Sequence, residues 1–501
     1  MNRRHIGSES KTLGRWTTPL VLLAVALAHA VPAAQAQSAT RPETETQWWK
    51  GVCETPGIAL DFIVVFKPGP ERGQYTATID IPVQMAKGLP LIDVVLSDTD
   101  MRFTIAPPAG AVFELTRTAD AKTATGELKQ HGMTFPAHMQ RITEEEAKSV
   151  GPPRPQTPKP PFPYTQRDVT YENSKDSTKL AGTLTIPEGA GPHPAVLLIT
   201  GSGPQDRDET IFGHKPFFVI ADHLTRHGIA VLRVDDRGVG GSTGAKPDVT
   251  TADFATDVEA GVAFLKHQPE IDPRRIGLLG HSEGGEIAPL VAAESHDVAC
   301  IVLLSGPGLP GSELLILQNE ALLKAAGASP EVIKRHTDAH RAVHECVARK
   351  ADEDTLRKAV QELVTIQLSA SGGPDPTPEQ IDSATKLGMA QFTSNWLRWF
   401  LTHDPRETLR KVKCPVLALG GSLDLQVPPK ENLPEIEKAL KAGGNTDATT
   451  KELPGLNHLF QEAKTGQVAE YATIDQTFSP TALDVLTIWL RTHFKLETSG
   501  G

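Results

Sequence analysis

The sequence predicts an α/β protein, with a mostly parallel sheet covered by helices on both faces and a small β-rich domain before it. From about residue 165 onward, short apolar runs alternate with longer helical patterns. Residues 45–140, by contrast, contain only strand-like segments separated by Pro-Gly turns. The chain of 501 residues also exceeds what one hydrophobic core usually serves, so we expect two domains.

The first 164 residues divide into three predicted parts. Residues 1–36 have the basic start, the apolar run and the small residues of an export signal, cleaved near Ala36. The β-rich domain is expected at 40–147. The prolines of 148–164 exclude helix and predict an extended, semi-rigid linker to a catalytic domain at 165–497. A recognition segment for a proline-binding module is the alternative for this stretch.

In the larger region, apolar runs predict strands, and apolar residues at helical spacing predict helices. Strands are expected at 167–171, 179–186, 195–199, 230–234, 275–279, 301–304, 416–419 and 449–453, and helices at 217–227, 251–267, 283–294 and 481–494. The helical segments of about 309–411 have no place in the sheet, so we predict a cap across the carboxyl ends of the strands. Trp396, Trp399 and Phe400 are expected in the cap core or at its contact with the main domain, and an acyl or leaving-group pocket is the alternative.

Composition narrows the class of function. The net charge of -11 and the absence of any Lys/Arg-rich run argue against nucleic-acid binding. No segment after the export signal approaches the length of a membrane span. The cysteines lack zinc-site spacing, so no metal site is expected. Buried free thiols are expected at Cys300 and Cys414, although a disulfide between them stays open.

The central motif is a Gly-x-Ser-x-Gly pentapeptide between a predicted strand and a predicted helix, at 280–284. A turn this sharp forces the backbone of Ser282 toward positive φ and crowds its neighbours, so small residues are needed at 280 and 284. The hydroxyl of Ser282 is then held out above the strand. We therefore predict that Ser282 is a nucleophile.

A serine hydroxyl needs a base to take its proton and a carboxylate to orient that base. In this kind of fold the residues follow in the chain order serine, acid, histidine. Asp424 stands in the loop after the strand at 416–419, and His458 stands in the loop after the last strand. We predict that Ser282, Asp424 and His458 form a catalytic triad.

An oxyanion that forms during acyl transfer needs preorganised backbone donors. One is expected to be the N–H of Glu283, directly after the nucleophile. The other is expected in the glycine-rich loop after the strand at 195–199, where the Ser202 N–H is favoured and the Gly203 N–H is second. Residues 205–208 of this loop are predicted to form a structural network.

These blocks resemble the serine α/β-hydrolase superfamily, and within it bacterial carboxylesterases of the EstD type. The resemblance covers about 165–495 and is carried by the segments at 201–208, 235–244, 280–285 and 457–461. It implies an α/β-hydrolase fold, an esterase acting on short acyl esters, and the triad on Ser282, Asp424 and His458. One departure is Thr200, where many hydrolases have a histidine before the oxyanion glycine.

The sequence therefore predicts an exported serine carboxylesterase that needs no cofactor and acts on a small-molecule ester. A serine peptidase or amidase with the same triad is the alternative. A non-catalytic protein that kept the scaffold is a further possibility, which retention of all three triad members disfavours. The oligomeric state is not predicted.

Overall fold

The structure is a computed structural model that describes residues 45–55, 58–69, 71, 73–81, 86–106, 110–130, 133–148, 153–244, 248–370 and 375–496. The predicted export signal at 1–36 lies outside the described residues. Within those ranges, no helix combines the length and the apolar character that a bilayer crossing requires.

The first domain is a closed barrel of eight antiparallel strands, each paired with the next along the chain. The last strand closes the barrel by pairing with the first, with Trp48 opposite Ile142. Aromatic side chains, among them Trp49, Phe62 and Phe103, fill the interior. The strands are β1 (Gln47–Thr55), β2 (Ile58–Pro68), β3 (Tyr75–Ile81), β4 (Ala86–Leu96), β5 (Asp100–Ile105), β6 (Val112–Arg117), β7 (Thr123–Gln130) and β8 (Met133–Ile142), and a short helix, α1 (Glu144–Lys148), follows them.

The second domain has the α/β-hydrolase fold, built on a sheet of eight strands. These are β9 (Tyr164–Asn173), β10 (Thr178–Pro187), β11 (His193–Ile199), β12 (Ala230–Val234), β13 (Ile271–His281), β14 (Cys300–Leu304), β15 (Val416–Gly421) and β16 (Ala448–Leu453). Their order across the sheet is β16-β15-β14-β13-β11-β12-β10-β9. β10 is antiparallel to both of its neighbours, and the other strand pairs are parallel. The carboxyl ends of β11, β13, β14, β15 and β16 therefore lie along one edge.

Helices cover both faces of this sheet, as predicted. On one face lie α2 (Pro216–Arg226) and α13 (Pro480–His493), and on the other lie α3 (Thr251–Lys266), α4 (Gly284–Glu294) and α11 (Pro429–Ala442). After His193 at the start of β11, the central strands β11 and β14 are apolar because both of their faces are buried. A short helix, α12 (Val468–Tyr471), lies between β16 and α13.

The chain between β14 and β15 forms a helical cap with its own apolar core. Its helices are α5 (Gly311–Ala325), α6 (Pro330–Ala348), α7 (Glu353–Ala370), α8 (Pro378–Thr393), α9 (Asn395–Thr402) and α10 (Pro405–Leu409). Local sequence fixes where several of them begin. At α8, for example, Thr377 and Gln380 form a capping box, in which each side chain accepts from the other residue's backbone N–H.

The proline-rich segment is more than the spacer that its composition predicts. The Arg154 guanidinium donates hydrogen bonds to the carbonyl oxygens of Phe212, Ala472 and Ile474, at 2.7, 3.1 and 2.8 Å. The Gln156 side chain hydrogen-bonds the backbone of the segment at 477–478. Arg154 and Gln156 therefore fasten this part of the segment to the surface of the hydrolase domain.

All four cysteines are free thiols. Cys300 begins β14, and Cys414 precedes β15, in which Val416 pairs with Ile301. The two thiols are thus close in the sheet but not bridged, as expected from the sequence.

Candidate active site

Ser282 lies on the sharp turn between β13 and α4 and has a φ of 52°, as the motif predicts. Its N–H donates to the Leu304 carbonyl of β14 at 2.9 Å, which ties the turn to the neighbouring strand. A Cβ at 280 would lie 1.9 Å from the Gly284 oxygen, and a Cβ at 284 would lie 2.2 Å from the Ile199 oxygen. Only glycine fits at both positions, so the packing around the turn dictates the glycines of the motif.

Asp424 and His458 form a buried pair. His458 Nδ1 lies 2.9 Å from Asp424 Oδ2 and 3.0 Å from Oδ1, and both residues are less than 5 % exposed. Asp424 Oδ1 also accepts the N–H groups of Gln426 and Val427, at 2.8 and 2.9 Å. Because an ionised carboxylate can only accept, His458 Nδ1 carries a proton, and in the neutral form of the ring Nε2 is the acceptor.

The surroundings keep Asp424 ionised. Burial alone raises its pKa, but the charge and hydrogen bond of His458, together with the Val427 N–H, outweigh this effect. The pKa of Asp424 therefore lies below its ordinary range. Asp424 is thus available to orient His458 and to stabilise a positive charge on it.

The three predicted triad residues come to the same edge of the sheet. His281, the residue before Ser282, has its ring centroid 4.8 Å from that of His458. Within the part of the chain that the structure describes, Ser282 Oγ makes no hydrogen bond to His458. Such catalytic hydrogen bonds are often long in unliganded enzymes and tighten when substrate binds.

The two predicted oxyanion donors are free. Neither the Ser202 N–H nor the Glu283 N–H donates to another described residue. The N–H of Gly201, the residue before Ser202, donates to Glu209 Oε1 at 2.8 Å. Glu283 is the N-cap residue of α4, so its N–H lies among the unpaired donors of that helix end. A loop amide and a helix N-terminus thus offer two donors to a developing negative charge.

Thr200 and Asp236 hold the glycine-rich loop after β11, residues 200–208, in place; this is the predicted oxyanion loop. The Thr200 hydroxyl donates to Asp236 Oδ1 at 2.7 Å, and the Gln205 N–H donates to Oδ2 at 2.9 Å. Burial raises the pKa of Asp236 to about 8, and the carboxylates of Glu209 and Glu283 add to this effect. Thr200, which stands where many hydrolases have a histidine, is thus a hydrogen-bond donor to the Asp236 side chain.

The residues at 205–208 form the structural network that the sequence predicts. Arg207 makes a two-pronged ion pair with Asp235, at 3.0 and 2.7 Å. Asp208 pairs with Arg233 and Lys215. Asp206 Oδ1 accepts two N–H groups and the Thr210 hydroxyl, each at 3.0 Å.

His281 makes a hydrogen-bonding contact through each of its ring nitrogens. Its Nδ1 lies 2.9 Å from Glu209 Oε1, and its Nε2 lies 3.0 Å from the His458 carbonyl oxygen. Burial lowers the pKa of His281, but the charge of Glu209 outweighs this and the net pKa is raised. His281 therefore connects the oxyanion loop, the nucleophile turn and the histidine loop.

Two buried carboxyl groups follow the nucleophile. Glu283 Oε1 accepts from the Thr251 hydroxyl and from the Trp396 indole N–H, each at 2.7 Å. Burial raises the pKa of Glu283. Glu286, one turn further along α4, is 3 % exposed. His403 Nε2 lies 3.7 Å from its Oε1, which is too far for a hydrogen bond.

The sequence did not reveal the contacts of Glu209 and Thr251 at the site. It also did not reveal that the Asn457 side chain shapes the loop of His458. Asn457 is fully buried, and its side-chain oxygen accepts the N–H groups of Leu459 and Gln461, at 3.0 and 2.9 Å. It thereby shapes the tight loop that presents His458. The position of Asn457 beside His458 was a usable signal, whereas nothing in the sequence pairs Glu209 with His281 or Thr251 with Glu283.

Comparison with known proteins places the chain among hydrolases. The family model described as X-Pro dipeptidyl-peptidase (S15 family) matches residues 176–445, more than half of the chain. The match includes Ser282 and Asp424 and ends before His458.

Individual relatives are more distant. Esterase EstD of Thermotoga maritima is 35% identical over 159 residues, which are 31% of this chain and only about a third (35%) of that protein. An uncharacterized 31.7 kDa protein of Escherichia coli is 26% identical over 64% of this chain and 98% of its own length. The esterase Pf2001 of Pyrococcus furiosus overlaps 69% of this chain and 98% of its own, with 18% identity and a TM-score of 0.41. The strand order of the sheet, the glycine-bounded turn at Ser282 and the family match agree, and the chain belongs to the X-Pro dipeptidyl-peptidase (S15) family.

Proposed function

We propose that this protein is a serine carboxylesterase that hydrolyses short-chain acyl esters through an acyl-enzyme on Ser282. The observation that carries the proposal is the buried Asp424–His458 pair beside a serine held at positive φ. The likeness to esterase EstD also favours an ester substrate.

In the proposed mechanism, His458 Nε2 takes the proton of Ser282 as the serine oxygen bonds to the acyl carbon. Asp424 stabilises the imidazolium through Nδ1. The carbonyl oxygen becomes an oxyanion and is bound by the N–H groups of Ser202 and Glu283. When the intermediate collapses, His458 gives its proton to the leaving alkoxide, and the acyl group remains on Ser282. Water then repeats the sequence and releases the acid.

The test is turnover of p-nitrophenyl acetate by the wild-type chain and by Ser282→Ala and Asp424→Asn. Loss of Ser282 is expected to lower kcat about 10⁶-fold, because only oxyanion and binding effects remain. Asp424→Asn is expected to cost about 10⁴-fold, because the amide favours the wrong tautomer of His458. A fluorophosphonate probe should label wild type at Ser282 and leave Ser282→Ala unlabelled. Undiminished hydrolysis by Ser282→Ala would refute the proposal.

A serine peptidase or amidase is the second candidate, and the match to a family named for X-Pro dipeptidyl-peptidase favours it. The same three residues can attack an amide, because the acyl-enzyme chemistry is shared. Parallel kcat/KM measurements on p-nitrophenyl acyl esters and on X-Pro p-nitroanilides separate the two. A higher kcat/KM for the X-Pro amides would replace the esterase proposal with the peptidase one.

We also propose that the protein is exported. The support is the basic, apolar and small-residue order of 1–36. Expression of the full chain in a bacterial host, followed by cell fractionation and mass determination, is expected to give an exported product that begins near Gln37.

A further inference from the structure

Glu283 contributes to the site in two ways, through its backbone and through its side chain. Its backbone N–H is one of the two proposed oxyanion donors, and its side chain runs away from Ser282 toward the cap. The carboxyl group is buried, with the residue 4 % exposed. A single oxygen, Oε1, receives both the Thr251 hydroxyl and the Trp396 indole N–H at 2.7 Å.

The two donors come from different parts of the domain. Thr251 is the first residue of α3 in the main domain and is fully buried. Trp396 is in cap helix α9 and stacks on Phe400, with ring centroids 5.5 Å apart and planes 7° from parallel. The Asn395 side chain adds a second contact of α9, to the Asp248 carbonyl at 3.4 Å. Glu283 is thus the point at which the cap hydrogen-bonds the nucleophile turn.

We infer that Trp396 is a positioning residue that couples the seating of the cap to the orientation of the Glu283 oxyanion donor. A backbone donor stabilises an oxyanion only if its direction is fixed before the charge develops. Two short hydrogen bonds hold the far end of the Glu283 side chain and so restrict rotation of the peptide between Ser282 and Glu283. Without the Trp396 N–H, one of these two restraints is lost.

The inference rests on the proposed function, because it concerns an oxyanion donor of the same site. The key variant is Trp396→Phe, which retains a ring to stack on Phe400 but removes the N–H. We expect kcat for p-nitrophenyl acetate to fall about tenfold or more, with KM within about threefold of wild type, because the donor acts mainly on the transition state. A residue that only lined the pocket would change KM instead.

Thr251 supplies an independent test from outside the cap. Thr251→Val removes the second donor and should lower kcat in the same way, whereas Thr251→Ser keeps the hydroxyl and should restore most of the loss. In the double variant Trp396→Phe, Thr251→Val, the losses should not add, because both donors restrain one oxygen. Trp399→Phe, on the same helix, is the matched control for cap packing, and its kcat is expected within about twofold of wild type.

Thermal unfolding of each variant identifies those that are folded, and the rate of fluorophosphonate labelling at Ser282 gives a readout that does not depend on ester turnover. Suppose that wild type hydrolyses esters and that folded Trp396→Phe retains the wild-type kcat, with or without a changed KM. The inference is then overturned while the proposed function stands. If no ester is hydrolysed, the proposed function fails. In that case slower labelling of Trp396→Phe than of Trp399→Phe would still support the positioning role, and equal rates would overturn it.

Discussion

Glu286 shows how burial of a single carboxyl group makes stability depend on pH. Its Oε2 atom is buried and makes no hydrogen bond to any residue that the structure describes. Burial, with the nearby carboxylate of Glu283, raises the pKa of Glu286 well above its ordinary value. The folded state therefore binds this proton more tightly than the unfolded state. As pH rises from the ordinary pKa toward the raised one, the free energy of unfolding falls.

Glu286→Met is therefore expected to raise the free energy of unfolding at pH 7 by about 1–3 kcal/mol, the cost of an unpaired buried polar group. The gain should be smaller at pH 5, where less of the unfolded-state carboxyl is ionised. Urea unfolding at the two pH values measures it. Glu294→Met, at the exposed end of the same helix, is the control and should change stability by less than about 0.5 kcal/mol. A loss of stability, or the same gain at both pH values, would contradict this account.

At the scale of elements, strand β11 and helix α4 approach so closely that no side chain fits between them. A Cβ at Gly284 would lie 2.2 Å from the Ile199 oxygen, which is backbone and cannot yield as a side chain could. Gly284→Ala is therefore expected to push α4 from β11 and to separate the Glu283 and Ser202 N–H groups. We expect kcat to fall about 10²-fold, the effect of losing one oxyanion donor. Steady-state assay with Glu294→Ala as control checks this, and an unchanged kcat would show that the contact is not needed.

The difference between local contacts and contacts distant in the chain explains which features the sequence could predict. The buried strands, the turn at Ser282 and the loops that carry Asp424 and His458 follow from residues close together in the chain. Closure of the barrel does not, because it requires β1 to pair with β8. The contacts of Glu209 with His281 and of Glu283 with Trp396 join residues 72 and 113 positions apart, and no local pattern signals them. The elements, and the placement of Ser282, Asp424 and His458 at one edge of the sheet, were therefore predictable, and the network around these residues was not.

For the molecule as a whole, the linker joins its two domains and also fastens two loops of the hydrolase domain. Arg154 donates to Phe212, in the segment that follows Glu209, and to Ala472 and Ile474, beyond the His458 loop. His214 connects the same two segments, with Nδ1 2.9 Å from the Thr477 hydroxyl and Nε2 2.9 Å from the Tyr471 carbonyl. The linker thus adds a restraint to the loops on both sides of the site.

Arg154→Ala is expected to leave three carbonyl groups without their donor and to lower the free energy of unfolding by about 2–3 kcal/mol, at about 1 kcal/mol for each hydrogen bond. Activity should fall as well, because the segment that holds Glu209, and through it His281, is less restrained. Arg154→Lys should recover only part of both losses, since one ammonium lacks the planar fork that reaches several carbonyls. Urea unfolding and ester turnover measure these effects, with Lys159→Ala, an exposed linker cation, as control. If Arg154→Ala matches Lys159→Ala in both measurements, the linker is only a spacer.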